Sequence, residues 1–151
     1  MKLKQTILLV DDSENDIFLM RTAFRKAEFN IGLQEVHNGE EAIAYLKGDG
    51  IYSDRNDYPL PAVILLDLNM PMKNGFDVLS WVRTQPAFKH LSIIILTASM
   101  RPEDVERAFD LGANSFLVKP THLDALVAMI RCLRDWTQIN YFPPLNNMVK
   151  R

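Results

Sequence analysis

The chain has 151 residues, 48% hydrophobic and 24% charged, with a formal net charge of −2; this suits one compact domain with a sizeable core and some additional segment, and gives no global reason to expect nucleic acid or an anionic membrane as a partner. A single cysteine, Cys132, excludes an internal disulfide framework and most thiolate metal sites, so a reducing cytoplasm is the expected compartment. No apolar run is long enough to span a bilayer, and the first residues turn acidic too quickly for a signal peptide.

Apolar runs and helical periods alternate along the chain, with no internal repeat. Thr6 to Val10 (TILLV) reads as a strand and is followed by Asp11-Asp12. Ser13, with Asp16 in the first turn, predicts a helix start, and Ile17, Met20, Phe24 and Ala27 recur at helical spacing. Leu33 to His37 predicts a short strand, Asn38-Gly39 punctuates it, and Glu40 to Lys47 predicts a short helix. The run AVILL predicts the third strand. Asn74-Gly75 then opens a helix carrying Phe76, Leu79 and Val82, which Pro86 terminates. Ser92 to Leu96 is the fourth predicted strand. Pro102 fits the first turn of the next helix and Gly112 its C-terminal cap. Ser115 to Val118 is the fifth strand, and Thr121 with Asp124 predicts a capping box before Leu123, Leu126, Val127 and Ile130.

The order is strand-helix five times over, and the central strands are continuous apolar runs. Both features predict an α/β fold with a doubly wound parallel sheet, its two faces covered by helices. Residues 48–61 read as a long polar loop inserted before the third strand. The expected division is a domain over 1–134 and a tail over 135–151.

Ligands of such sheets sit beyond the carboxyl ends of the strands. There the predicted elements deliver Asp11 and Asp12, Asp67, Thr97 and Lys119. Three close carboxylates repel one another and call for a cation among them; hard oxygen ligands with room for water suit magnesium. Asp12 and Asp67 can each donate an oxygen, Asp11 can hold a metal-bound water, and a backbone carbonyl near Asn69 can complete the set. Asp67, stabilised by metal and by Lys119, is also a candidate nucleophile: a carboxylate can accept a phosphoryl group as an acyl phosphate. Such transfer needs positioning and charge neutralisation more than covalent help.

The stretches LLVDDSENDIFLMR, VILLDLNMPMKNGFDVLSWVR, IIILTAS and GANSFLVKP together resemble the receiver domain of two-component response regulators, over roughly Gln5 to Leu133. The resemblance implies a flavodoxin-like (βα)5 fold with strand order 2-1-3-4-5. It implies that Asp67 accepts phosphate from a phosphohistidine on a partner kinase. Magnesium would be held by Asp11, Asp12, Asp67 and the Asn69 carbonyl. Thr97 and Lys119 would sense the phosphoryl group, Phe116 would report it as a switch, and the Lys119-Pro120 peptide bond would be cis. The output surface would be formed by the fourth helix, fifth strand and fifth helix. The long loop and the segment DWTQINYFPP further resemble regulators that serve bacterial phytochromes, which would make the partner a phytochrome-type sensor histidine kinase.

Taken singly, these residues have plainer readings: an acidic pair can be a helix cap, Thr97 a strand-end hydroxyl, Lys119 a surface lysine and Phe116 a core residue. His37, His90 and His122 lack ligand spacing, and Cys132 reads as a packed small apolar residue. Two other functions compete with the receiver. One is a magnesium-dependent phosphohydrolase, against which Asn69 stands where such enzymes place a second acid. The other is an interaction module that is never phosphorylated, against which stand intact Asp67, Thr97 and Lys119. With no evident room for an attached output domain, a receiver would signal by protein contact. The apolar tail residues Trp136, Ile139, Tyr141 and Phe142 either pack back on their own domain or, as the resemblance favours, help form a homodimer.

Overall fold

Five strands form one parallel sheet in the order β2-β1-β3-β4-β5 in the computed structural model, which describes residues 5–145. They are β1 (Thr6–Val10), β2 (Gly32–Val36), β3 (Val63–Leu66), β4 (Ser92–Thr97) and β5 (Ser115–Val118). Every crossover carries a helix: α1 (Glu14–Lys26), α2 (Gly39–Lys47), α3 (Gly75–Thr84) and α4 (Pro102–Asp110), with α5 (Leu123–Ile139) closing the fold. Parallel neighbours cannot be joined by a tight hairpin, so the strand-helix alternation in the sequence dictates this topology.

The period-2 geometry of the strands divides the core. Leu8, Val10, Ile64, Leu66, Ile93 and Ile95 face one side, with residues of α2, α3 and α4. Ile7, Leu9, Val63, Leu65, Ile94 and Leu96 face the other, under α1 and α5. Each such aliphatic side chain, buried on folding, contributes roughly 1.5–3 kcal/mol, which is why the three inner strands read as unbroken apolar runs. At the edge, β5 is only half-buried, and Val118 keeps 37% of its surface in solvent.

Four local expectations change. The N-cap of α5 is His122, with no side-chain cap, so the Thr121–Asp124 capping box does not form. The helix continues to Ile139 and carries Trp136 and the buried Thr137 across the boundary expected at residue 134. Cys132 is exposed on that helix, not packed. Residues 48–61 are also more than a polar loop: they contain a 3-10 turn, Gly50–Ser53, and the rings of Tyr52 and Tyr58, which pack on each other and on Tyr45 of α2.

Candidate functional site

The functional side chains are placed by continuation of the sheet ladder past the strand ends. The Asp67 N–H donates to the Val10 carbonyl at 3.0 Å, the Asp11 N–H to Val36 at 3.2 Å, and the Lys119 N–H to Thr97 at 2.8 Å. The residue after each strand is thus pinned by its neighbour, and the side chains converge over the carboxyl edge. Gly75 brings the start of α3 against this edge. A Cβ there would lie 2.3 Å from the Asp67 carbonyl oxygen, so no other residue permits the approach.

Lys119 is the centre of the cluster. Its ammonium donates to Asp11 Oδ2 at 2.7 Å, Asp16 Oδ2 at 2.9 Å and Asp67 Oδ2 at 3.2 Å. The remaining oxygens of two of these carboxylates accept backbone donors: Asp11 Oδ1 from the Ser13 N–H at 2.9 Å and Asp67 Oδ1 from the Asn69 N–H at 3.3 Å. Asp11 and Asp67 are buried and Asp12 is exposed, and the three present oxygens within 4.8 Å of one another. Burial pushes the Asp11 carboxyl above its ordinary pKa, and the hydrogen bonds from Lys119 and Ser13 offset only part of that cost. Burial alone would lower the Lys119 pKa; its bonds to Asp11 and Asp16 and the charge of Asp67 outweigh this and hold it above the usual lysine value.

A divalent cation fits this donor set. Three oxygen-bearing carboxylates stand within reach of one ion, one of them open to solvent for water ligands, and the partly desolvated Asp11 gains most from a neighbouring positive charge. Thr97 is fully buried beside them and its Oγ1 accepts the Ser99 N–H at 3.5 Å. Phe116, half-buried on β5 opposite Ile95, packs against the core cluster on the α4 side of the sheet.

The structure therefore brings together Asp11, Asp12, Asp67 and Lys119, with Thr97 and Asn69 adjoining, and sets Phe116 next to the cluster along β5. One expectation is corrected. No peptide bond is cis among the described residues, so Lys119-Pro120 is trans. Trans is the lower form of a prolyl bond by about 0.5–1 kcal/mol, and with it Lys119 already reaches all three carboxylates. One residue was not anticipated: Asp16, whose only sequence signal is an acid in the first turn of α1, which reads as an ordinary dipole-favoured position.

A family model for the response regulator receiver domain matches residues 7–131. The chain belongs to that family. The receiver is 33% identical over 132 residues to response regulator Rcp1 of Synechocystis sp., covering 87% of this chain and 88% of that protein. Among solved structures it resembles a response regulator in red light signalling of R. palustris, with 33% identity and a TM-score of 0.87 over 93% of this chain and 99% of that one. It also resembles a phosphorylated cyanobacterial phytochrome response regulator, RcpA, with 29% identity and a TM-score of 0.85 over 94% of this chain and 100% of that one. The Mn(2+)-bound form of Rcp1 is a third likeness, with 31% identity and a TM-score of 0.81 over 93% of this chain and 99% of that one. The receiver is accordingly a two-component response regulator, a signalling protein of a family that takes phosphate from histidine kinases and holds a divalent cation at an aspartate cluster. No helix among the described residues is long and apolar enough to cross a membrane.

Proposed function

We propose that this receiver accepts a phosphoryl group on Asp67, with magnesium, from a sensor histidine kinase of the bacterial phytochrome class. The observation that carries this reading is the position of Asp67: a buried carboxylate at the end of β3, 3.2 Å from the Lys119 ammonium and grouped with Asp11 and Asp12. Asp11, Asp12, Asp67 and the Asn69 carbonyl would hold the ion. When bound, a divalent cation neutralises charge on the carboxylates and on phosphoryl oxygens.

This chain's own residues account for the rest. A carboxylate oxygen of Asp67 attacks phosphorus in line; the bond from phosphorus to the imidazole nitrogen breaks, the imidazole leaves with that electron pair, and an acyl phosphate remains. Lys119 supplies an N–H to a phosphoryl oxygen, and the Thr97 hydroxyl another. Asp67 stands at the margin of the core, between the buried Leu66 and Leu68 in the chain, and is itself buried. The protein would catalyse only its own phosphorylation and dephosphorylation.

Phosphorylation would shift an equilibrium between two arrangements and not create a new fold. Thr97 would move toward the phosphoryl group, Phe116 would fill the vacated space, and the surface of α4, β5 and α5 would carry the signal to a protein partner. That face exposes Phe109, Val118 and, at the end of α5, Ile139, and the following segment exposes Tyr141; a homodimer through α4-β5-α5 and the tail would cover them. The phytochrome assignment is supported by the similarity to RcpA, and a cytoplasmic location follows from a cytoplasmic kinase donor. The test is labelling with acetyl phosphate in the presence and absence of magnesium. Wild type takes label only with the ion, and Asp67→Asn takes none; full labelling of the variant contradicts the reading.

A further inference from the structure

The Lys119 ammonium has three hydrogens, and three carboxylates take them. Two of the three, Asp11 and Asp67, belong to the group able to hold a metal ion; Asp16 does not. The local chemistry of α1 explains why Asp16 is available. In α3 the equivalent third helical residue, Asp77, closes a capping box: its carboxylate accepts the Asn74 N–H while its own N–H donates to Asn74 Oδ1. In α1 only half of that box exists. The Asp16 N–H donates to Ser13 Oγ at 3.2 Å, but the Ser13 N–H goes to Asp11 Oδ1. The carboxylate of Asp16, relieved of capping, turns to Lys119 instead.

We propose that Asp16 is a positioning residue, which keeps the Lys119 ammonium at the phosphoacceptor through a carboxylate outside the metal group. The inference rests on the reading of Asp67 given above. Once Asp67 is phosphorylated, the N–H that served its Oδ2 would turn to a phosphoryl oxygen, and a bound cation would draw on Asp11. Asp16 is the one partner whose bond to Lys119 is unchanged through both events. It fixes the direction in which the lysine presents its free donor, an orientation effect that acts on the rate of transfer.

Two measurements test it on the full chain. The first follows acetyl phosphate labelling at saturating donor and magnesium. Asp16→Asn lowers the maximal rate by about tenfold, with the half-saturating magnesium concentration unchanged within about twofold; the same substitution in a Lys119→Met background adds less than a further twofold, because the two residues act as one unit. An undiminished rate, or an equal fall in both backgrounds, overturns the proposal. The second needs no phosphoryl donor. The unphosphorylated wild type shows one slowly exchanging lysine ammonium resonance, absent from Lys119→Met; in Asp16→Asn it shifts and exchanges several-fold faster. If Asp16 serves only helix α1, that resonance is unmoved, which overturns the proposal whatever Lys119→Met does to labelling. Label on wild type that survives Asp67→Asn, with the ammonium resonance shifted as expected, overturns the reading of Asp67 and leaves the Asp16–Lys119 contact standing.

Discussion

Lys119 shows how a single residue sets the character of the site. Its ammonium is shared by Asp11, Asp16 and Asp67, so no one carboxylate is neutralised by a private partner. Removing one member of such a buried group leaves the others uncompensated. Thr97 differs: its carbonyl holds the Lys119 N–H, but its buried hydroxyl has one long contact, from the Ser99 N–H at 3.5 Å, so little in the resting arrangement depends on that hydroxyl. Thr97→Ala therefore remains a phosphoacceptor but transmits less. Amide exchange should show phosphorylated wild type altered across residues 108–118, and Thr97→Ala altered there to less than about half that extent; an undiminished change in the variant would remove Thr97 from the switching path.

Among the elements, the segment between α2 and β3 departs furthest from its sequence reading. Arg55 donates to the Tyr45 carbonyl at 2.8 Å, the Tyr58 carbonyl at 3.2 Å and the Leu46 carbonyl at 2.8 Å, which satisfies the open C-terminal end of α2. Tyr45 is fully buried beneath it and donates its hydroxyl to the Pro59 carbonyl at 2.7 Å. Burial pushes the Tyr45 pKa up to about 12 from its ordinary 10.0. The folded state therefore favours the neutral phenol: its contribution is complete below pH 10, and is lost as pH rises through the 10–12 window because the unfolded chain ionises first. Lys119, also raised, adds dependence of the same sign. Denaturant unfolding should show Tyr45→Phe less stable at neutral pH by about 1 kcal/mol and with a shallower alkaline fall than wild type; identical alkaline slopes would contradict a neutral buried phenol. The strands and α1 to α4 were legible because apolar period and capping residues act locally: Ser13, Asn74 and Pro102 stand at helix starts as expected, and Asn38, expected to punctuate the end of β2, caps α2. The aspartates, Thr97 and Lys119 were legible as strand-end residues. Arg55 and Asp16 were not, since each acquires its role from a partner that only the fold supplies. The His122 cap and the trans Lys119-Pro120 bond escaped for the converse reason, since a motif was read where tertiary packing decides.

At the scale of the whole molecule, the two core layers are joined beneath the sheet by the chain after α5. Phe142 meets Trp136 edge to face at 5.4 Å on the α1/α5 side, and Leu145 is buried in the cluster on the opposite side. Residues 140–145 thus return along the amino ends of the strands, beside Gln5, Ala62 and Leu91, around a cleft of about 550 Å³. Of the tail side chains, Trp136, Phe142 and Leu145 pack within the chain while Ile139 and Tyr141 stay exposed, so the packed and the proposed dimeric arrangements use different residues. A chain ended at Asn140 is a better test of the dimer than one ended at Arg134, which would also cut α5 before the buried Thr137. The shorter chain should be destabilised by about 2–4 kcal/mol through loss of Leu145 and Phe142, and light scattering should find the full chain, but not the shorter one, dimeric at raised concentration; a full chain that stays monomeric with and without a phosphoryl mimic would rule the dimer out. On the proposed reading one carboxylate alone, Asp67, receives the phosphoryl group. Borohydride reduction of the labelled receiver converts an acyl phosphate to homoserine, and peptide sequencing reads its position. Homoserine is expected at position 67 alone; homoserine at position 11, 12 or 16, or labelled protein with none, would overturn the assignment.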